Sequence, residues 1–119
     1  MAQKYIVDDI IMYKNRIHTI IETLGRNNYE LSYVRHPVNQ AELSGVPLTP
    51  EILEKNGWKN DKGDYINDSY HLHLCGKYDE YSVYRVVNDN NVVWLTCVRN
   101  VSDLQHLFFG LGLNSEMEV

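Results

Sequence analysis

The spacing of apolar and polar residues changes along the chain, and each change marks an element. Over residues 10–35 the apolar positions come in short β-branched runs separated by turn formers. Ile10–Tyr13 precedes a turn at Lys14-Asn15-Arg16, and Ile17–Leu24 precedes a Gly/Asn turn at Gly25-Arg26-Asn27-Asn28. Tyr29-Glu30-Leu31-Ser32-Tyr33-Val34-Arg35 then alternates, with Tyr29, Leu31 and Tyr33 on one face. Three or four strands within about 35 residues predict a small antiparallel meander or an SH3-like barrel. Pro37 lacks the N–H a ladder needs, so 36–48 reads as a connector.

Helix punctuation follows. Thr49 suits an N-cap, Pro50 the first helical position and Glu51 the positive end of the helix dipole. Gly57 fits the left-handed residue after the last turn, with Trp58 folding back on Leu53. These signals predict a helix over 50–56. The pattern then returns to period two. Trp58-Lys59 and Tyr65-Ile66 flank a polar turn at Asn60–Asp64 and predict a small hairpin. In Tyr70–Cys75, Tyr70, Leu72 and Leu74 fall on one face and His71, His73 and Cys75 on the other. After a turn at Gly76–Glu80, Tyr81–Val87 and Val92–Val98 predict a hairpin whose tip, Asn88-Asp89-Asn90-Asn91, tolerates positive φ. With Val87 opposite Val92, Trp94 shares a side with Val83 and Arg85, and Tyr84 lies on the other. Asn100 then caps a last helix whose apolar stripe is Val101, Leu104, Leu107, Phe108 and Leu111, ended by Gly110 and Gly112. The acidic tail 114–119 reads as frayed. The expected class is α+β, in one compact domain over 1–119: a meander or barrel (1–46), a linking helix (47–58), and an antiparallel sheet packed by the C-terminal helix (59–119).

Composition narrows what such a domain does. The chain has 119 residues, 44% of them apolar and 23% charged, which fits a globular domain. Eleven Lys and Arg against sixteen Asp and Glu give a net charge of −5, the wrong sign for coating a nucleic-acid polymer. No apolar run is long enough to cross a bilayer and Met1–Asp9 has no signal-peptide core, so the expected location is the cytoplasm. Cys75 and Cys97 are expected to be reduced and to pack as small hydrophobes. Nine Tyr against two Phe and two Trp favour surfaces buried only on binding.

Catalytic signatures are weak. No G-x-S-x-G, P-loop or G-x-G-x-x-G is present, and Gly110-Leu111-Gly112 lies at the wrong end of its helix to hold phosphate. His18-Thr19 and His71-x-His73 do not make the paired His-x-Ser/Thr motifs of a phosphodiesterase. His71-x-His73-x-Cys75 places alternate members roughly 7 Å apart, and Cys97 or His106 offers a third metal ligand. That strand carries no Asp or Glu at ligand spacing, so hydrogen-bonded strand histidines are the plainer reading, and no metal or cofactor is expected. A thiolate at Cys75 is awkwardly placed for a same-strand base. The protein is therefore expected not to be an enzyme. Arginines and histidines interleaved with tyrosines point instead to ligand binding: Tyr33, Arg35, His36, His71, His73, Tyr78, Tyr84, Arg85 and Arg99. Guanidinium forks grip phosphate oxygens and tyrosine rings stack on a base or ribose.

Two segments carry a resemblance. Val46-Pro47-Leu48-Thr49-Pro50-Glu51-Ile52-Leu53-Glu54-Lys55-Asn56-Gly57-Trp58 resembles a P-L-T-x-E-x-L-x-K-x-G-[FW] block, and Val101–Leu111 resembles a V-x-x-L-Q-x-L-[YF]-x-x-L helix, both of small proteins encoded in prophages and phage-like islands of gut bacteria. Those proteins begin with R-x-G-N, where Val7-Asp8-Asp9-Ile10 stands here, and their Thr-Gly-Glu-Glu-Leu ending is Gly112-Leu113-Asn114-Ser115-Glu116 here. The resemblance implies a phage protein in the bacterial host cytoplasm. Phages counter host defence with small proteins, some of which sequester cyclic oligonucleotides or cyclic ADP-ribose variants. By that analogy the chain is a homo-oligomeric sponge for a small anionic nucleotide. An adaptor that docks a host protein through an SH3-like barrel is the alternative.

Overall fold

The computed structural model describes residues 3–77 and 80–119. The class is α+β and dominated by sheet. The strands are Ile10–Tyr13 (β1), Arg16–Leu24 (β2), Asn28–Leu31 (β3), Val38–Asn39 (β4), Leu43–Gly45 (β5), Lys59–Asp61 (β6), Asp64–Asn67 (β7), Leu72–Lys77 (β8), Glu80–Asn88 (β9) and Asn91–Val98 (β10). The helices are Pro50–Lys55 (α1) and Val101–Gly110 (α2), with a 3-10 turn at Gln40–Glu42. The strands form two five-stranded sheets, ordered β4-β3-β2-β1-β5 and β10-β9-β8-β7-β6.

The chain divides into two compact units. One runs to Pro47 and resumes over Asn100–Glu116; the other comprises Leu48–Arg99 with Met117–Val119. The second unit is thus inserted between β5 and α2 of the first. The C-terminal helix groups with the N-terminal sheet, not with the sheet that precedes it in sequence.

In the first unit, Lys14 and Asn15 both take left-handed φ (49° and 62°), the twist a two-residue hairpin needs between β1 and β2. β2 slips register between Ile20, opposite Leu31, and Glu22, opposite Glu30. The core is Tyr5, Ile11, Tyr13, Ile20, Tyr29, Leu31 and Val38. The Tyr29 hydroxyl is satisfied there, because its Oη donates to Gln40 Oε1 at 2.5 Å. The connector expected over 36–48 in fact carries β4, the 3-10 turn and β5. Asn39 supplies a complete capping box with Glu42 there. The expected third strand stops at Leu31, since Tyr33 turns left-handed (φ 61°). Helix α2 is tied to the sheet by Gln105, which accepts from Ile10 N–H at 2.8 Å and donates to Asp8 O at 3.0 Å.

In the second unit, α1 starts at Thr49, whose hydroxyl accepts from Ile52 N–H. It stops as expected: Gly57 has φ 88°, its N–H reaches Glu54 O, and Trp58 N–H reaches Leu53 O. Leu53, Trp58, Tyr65, Leu72, Leu74, Val83 and Val98 are buried. From Val92 to Trp94 the β9–β10 hairpin departs from the expected register, which resumes with Thr96 opposite Val83 and Val98 opposite Tyr81. Val92 pairs with Val86, not Val87, and Trp94 pairs with Tyr84, because one bulge follows the tip and a second lies between Trp94 and Thr96. Trp94 therefore shares a face with Tyr84, not with Val83. The tip closes without positive φ, with Asn90 N–H donating to Asn88 Oδ1.

Candidate functional site

The loop after β3 carries three of the sequence candidates, and two of them, Arg35 and His36, line one cavity. Tyr33 is 99% exposed on a left-handed backbone. Arg35 and His36 are also exposed. They line a cavity of about 260 Å³ with Leu24, Glu30, Val34 and Pro37. His36 Nδ1 lies 3.1 Å from Pro37 O. Leu24, Val34 and Pro37 make apolar walls, the guanidinium and imidazole provide donors, and Glu30 provides an acceptor. Ligand sites for whole small molecules run from about 300 Å³ upward, so this space is smaller than such a site.

The remaining candidates lie in the second unit and do not form one group. Across its sheet, Trp94, Tyr84, His73 and Ile66 face one another in a row, and Cys97, Ser82 and Cys75 form the next row on the same face. His73 and Tyr84 are thus neighbours. His71 falls before β8 in a left-handed turn (φ 56°) and is exposed, so it does not join His73 and Cys75 as the alternation suggested. Arg85 pairs with Leu72 and Val93 on the opposite face from Tyr84. Arg99 is spoken for: its Nε donates to Glu80 Oε2 at 3.1 Å. Tyr78 lies outside the described residues.

Sequence reasoning missed Asp64. Tyr65 pairs with Leu74 and Ile66 with His73, which sets Asp64 at the β7 position opposite Cys75. His73 Nε2 lies 3.7 Å from Asp64 Oδ2. One ligand atom from each of Asp64, His73 and Cys75 falls within 4.8 Å of the others. The signal was present in the apolar pairing of Tyr65 with Leu74, which fixes the register once the 59–66 hairpin is accepted. Burial, and then the Asp64 carboxylate, push the Cys75 thiol above its usual value. That is the reverse of an activated nucleophile. Cys97 sits two strands away from Cys75, roughly 10 Å, beyond disulfide reach, and its Sγ lies 3.7 Å from Ser82 Oγ.

The other proposed third ligand, His106, is engaged in the first unit. Its Nε2 lies 2.6 Å from Asp9 Oδ2, and Asp9 also accepts from Ile6 N–H at 2.9 Å. Burial nonetheless raises the Asp9 carboxyl above its usual range, outweighing both hydrogen bonds. Neither family models, nor curated proteins, nor solved structures give a match to this chain. No helix among the described residues is long and apolar enough to cross a membrane.

Proposed function

We propose that the protein acts by occupancy, binding and sequestering a small cyclic nucleotide or cyclic ADP-ribose-type signal. The observation that carries this reading is the cavity after β3, where Arg35 and His36 edge apolar walls, with the exposed Tyr33 in the same loop. Arg35 meets a phosphate, Tyr33 stacks on a ring, and Glu30 accepts from a base's exocyclic amine. The reading needs no chemistry: tight binding lowers the free signal stoichiometrically. The cavity's small volume favours a homo-oligomer in which a second copy covers the rest of the ligand. The resemblance to prophage-encoded proteins supplies the setting, defence evasion in a bacterial host cytoplasm.

Calorimetry against cyclic di- and trinucleotides and cyclic ADP-ribose isomers tests it. At about 50 μM protein a micromolar ligand gives a saturating isotherm, which Arg35→Ala is expected to weaken by about tenfold or more. No heat from any member of the panel, or equal heat from the variant, rejects the reading.

A second reading, a protein-docking adaptor, has its own support. The strand order β4-β3-β2-β1-β5, with a 3-10 turn before β5, favours an SH3-like barrel for the first unit. In the second, the edge strand β10 exposes Val92, Val93 and Trp94, each by more than half. The two readings separate on purification. A sponge from cells making the signal carries material absorbing in the nucleotide band, and an adaptor does not.

A further inference from the structure

We propose that Asp64, His73 and Cys75 bind one transition-metal ion of the zinc class on the outer face of the second unit's sheet, leaving a fourth position open. The site belongs to the second unit and goes beyond the reading given for the cavity of the first.

Three observations carry the proposal. The first is the donor set: one carboxylate, one imidazole and one sulfur. Thiolate and imidazole select zinc, cobalt or copper over magnesium and calcium, which prefer all-oxygen shells. The second is the separation of the donors. His73 Nε2 and Asp64 Oδ2 are 3.7 Å apart, too far for a hydrogen bond. Two ligands on one tetrahedral ion with bonds of about 2.1 Å stand about 3.4 Å apart. The three ligand atoms already lie within 4.8 Å of one another, so modest side-chain rotation closes the shell. The third is the state of His73. Its Nε2 is buried and has no hydrogen-bond partner, although Asp64 Oδ2 lies 3.7 Å away. Folded chains seldom leave a buried ring nitrogen without a partner, and an ion at the centre of the three groups supplies one.

The scaffold suits such a site. β7 and β8 are paired inner strands of the five-stranded sheet, with β6 and β9 on their flanks. Strands hold ligands more firmly than loops do. Ser82 and Tyr84, opposite Cys75 and His73 on β9, border the space beside the ion. When the ion binds, the Cys75 thiol proton leaves to solvent and a sulfur–metal bond forms in its place. Three protein ligands leave the remaining tetrahedral position for water or for a donor atom of a bound molecule.

Cobalt(II) titration of the full chain, stripped with a chelator under reducing conditions, tests the site. The expected result is a thiolate-to-cobalt band in the near ultraviolet and strong visible bands of tetrahedral cobalt. Both saturate at one ion per chain and are displaced by zinc. Cys75→Ser is expected to abolish the thiolate band, and His73→Gln and Asp64→Asn to weaken binding by about tenfold or more. Cys97→Ser is expected to leave the spectrum and affinity unchanged. A chain that develops no thiolate band overturns the proposal, as does a band that survives Cys75→Ser or disappears with Cys97→Ser. Circular dichroism checks the fold of each variant, and the unaltered chain decides the matter even where a variant does not fold. Binding at this site is read with metal alone, so it stands or falls independently of the nucleotide panel.

Discussion

Gly45→Ala tests how β5 and α2 are joined. Gly45 lies on β5 opposite Ile11, and a Cβ added there would sit 2.8 Å from the Cβ of Asn100. Asn100 is not free to move away. Its side chain caps α2 by accepting from Asp103 N–H at 3.0 Å and from Ser102 Oγ at 2.9 Å. The backbone on either side is also fixed, with Val101 N–H donating to Val46 O at 2.8 Å. The glycine has no positive φ, so alanine meets no backbone strain. On unfolded-chain entropy alone, alanine would stabilise by about 0.4–1 kcal/mol. The collision costs about 1–3 kcal/mol, and displacing the cap costs about 1 kcal/mol more. The net expectation is a loss of about 2 kcal/mol. In urea, with a slope of about 1–2 kcal/mol/M, that moves the midpoint down by about 1–2 M. The cause is isolated by repeating the change in Asn100→Gly, which removes the obstructing Cβ and retains a tolerable cap residue. There Gly45→Ala should be neutral or slightly stabilising, a coupling of about 2 kcal/mol. A cycle additive within about 0.5 kcal/mol refutes the reasoning.

Further expectations follow from other buried polar groups. Gln105→Ala leaves Ile10 N–H and Asp8 O without their partner, and should cost about 2–6 kcal/mol, at about 1–3 kcal/mol per orphaned group. Equilibrium unfolding checks this, and a loss under about 1 kcal/mol contradicts it. Tyr29→Phe removes the hydroxyl that donates to Gln40 and accepts from Lys4 and Tyr5 N–H, and should cost about 1–3 kcal/mol by the same assay. Asp9 gives a pH signature. Its folded carboxyl holds a proton above the ordinary value of 3.8. Between the two values the folded state binds more protons, so its contribution is full below 3.8 and is lost as pH rises through the folded value. Asp9→Asn, which can still accept from Ile6 N–H, should therefore gain stability on the parent across that rise. Melting curves at stepped pH read the difference, and a parent that gains on the variant contradicts the assignment.

Local signals in the sequence were read well where they are covalent or nearest-neighbour in origin. The Thr49 cap, the Gly57 stop and the Asn100 cap depend on a few adjacent residues, and each is where the sequence puts it. The larger differences are nonlocal. Whether α2 belongs with the first sheet or the second depends on Gln105 reaching Asp8 and Ile10, about 95 positions away, which no window of residues contains. The placement of Trp94 beside Tyr84 depends on the bulge after the tip, because a single-residue slip moves side chains to the other face. β4 and β5 were hidden because two- and three-residue strands carry no periodicity. The candidate site divided for the same reason. Arg35 and His36 are neighbours in sequence and remain so at the cavity, whereas Asp64 joins His73 and Cys75 only through pairing between strands.

The insertion of one unit inside the other sets an order on biosynthesis. Leu48–Arg99 leaves the ribosome before Asn100–Glu116, so β6–β10 have all emerged while the first sheet still lacks the helix that meets Ile10 and Asp9. The unit begun first therefore waits for every strand of the second sheet before it receives its helix. Until α2 appears, the nascent chain carries the Ile10 amide and the Asp9 carboxylate without the glutamine and histidine that serve them in the finished molecule.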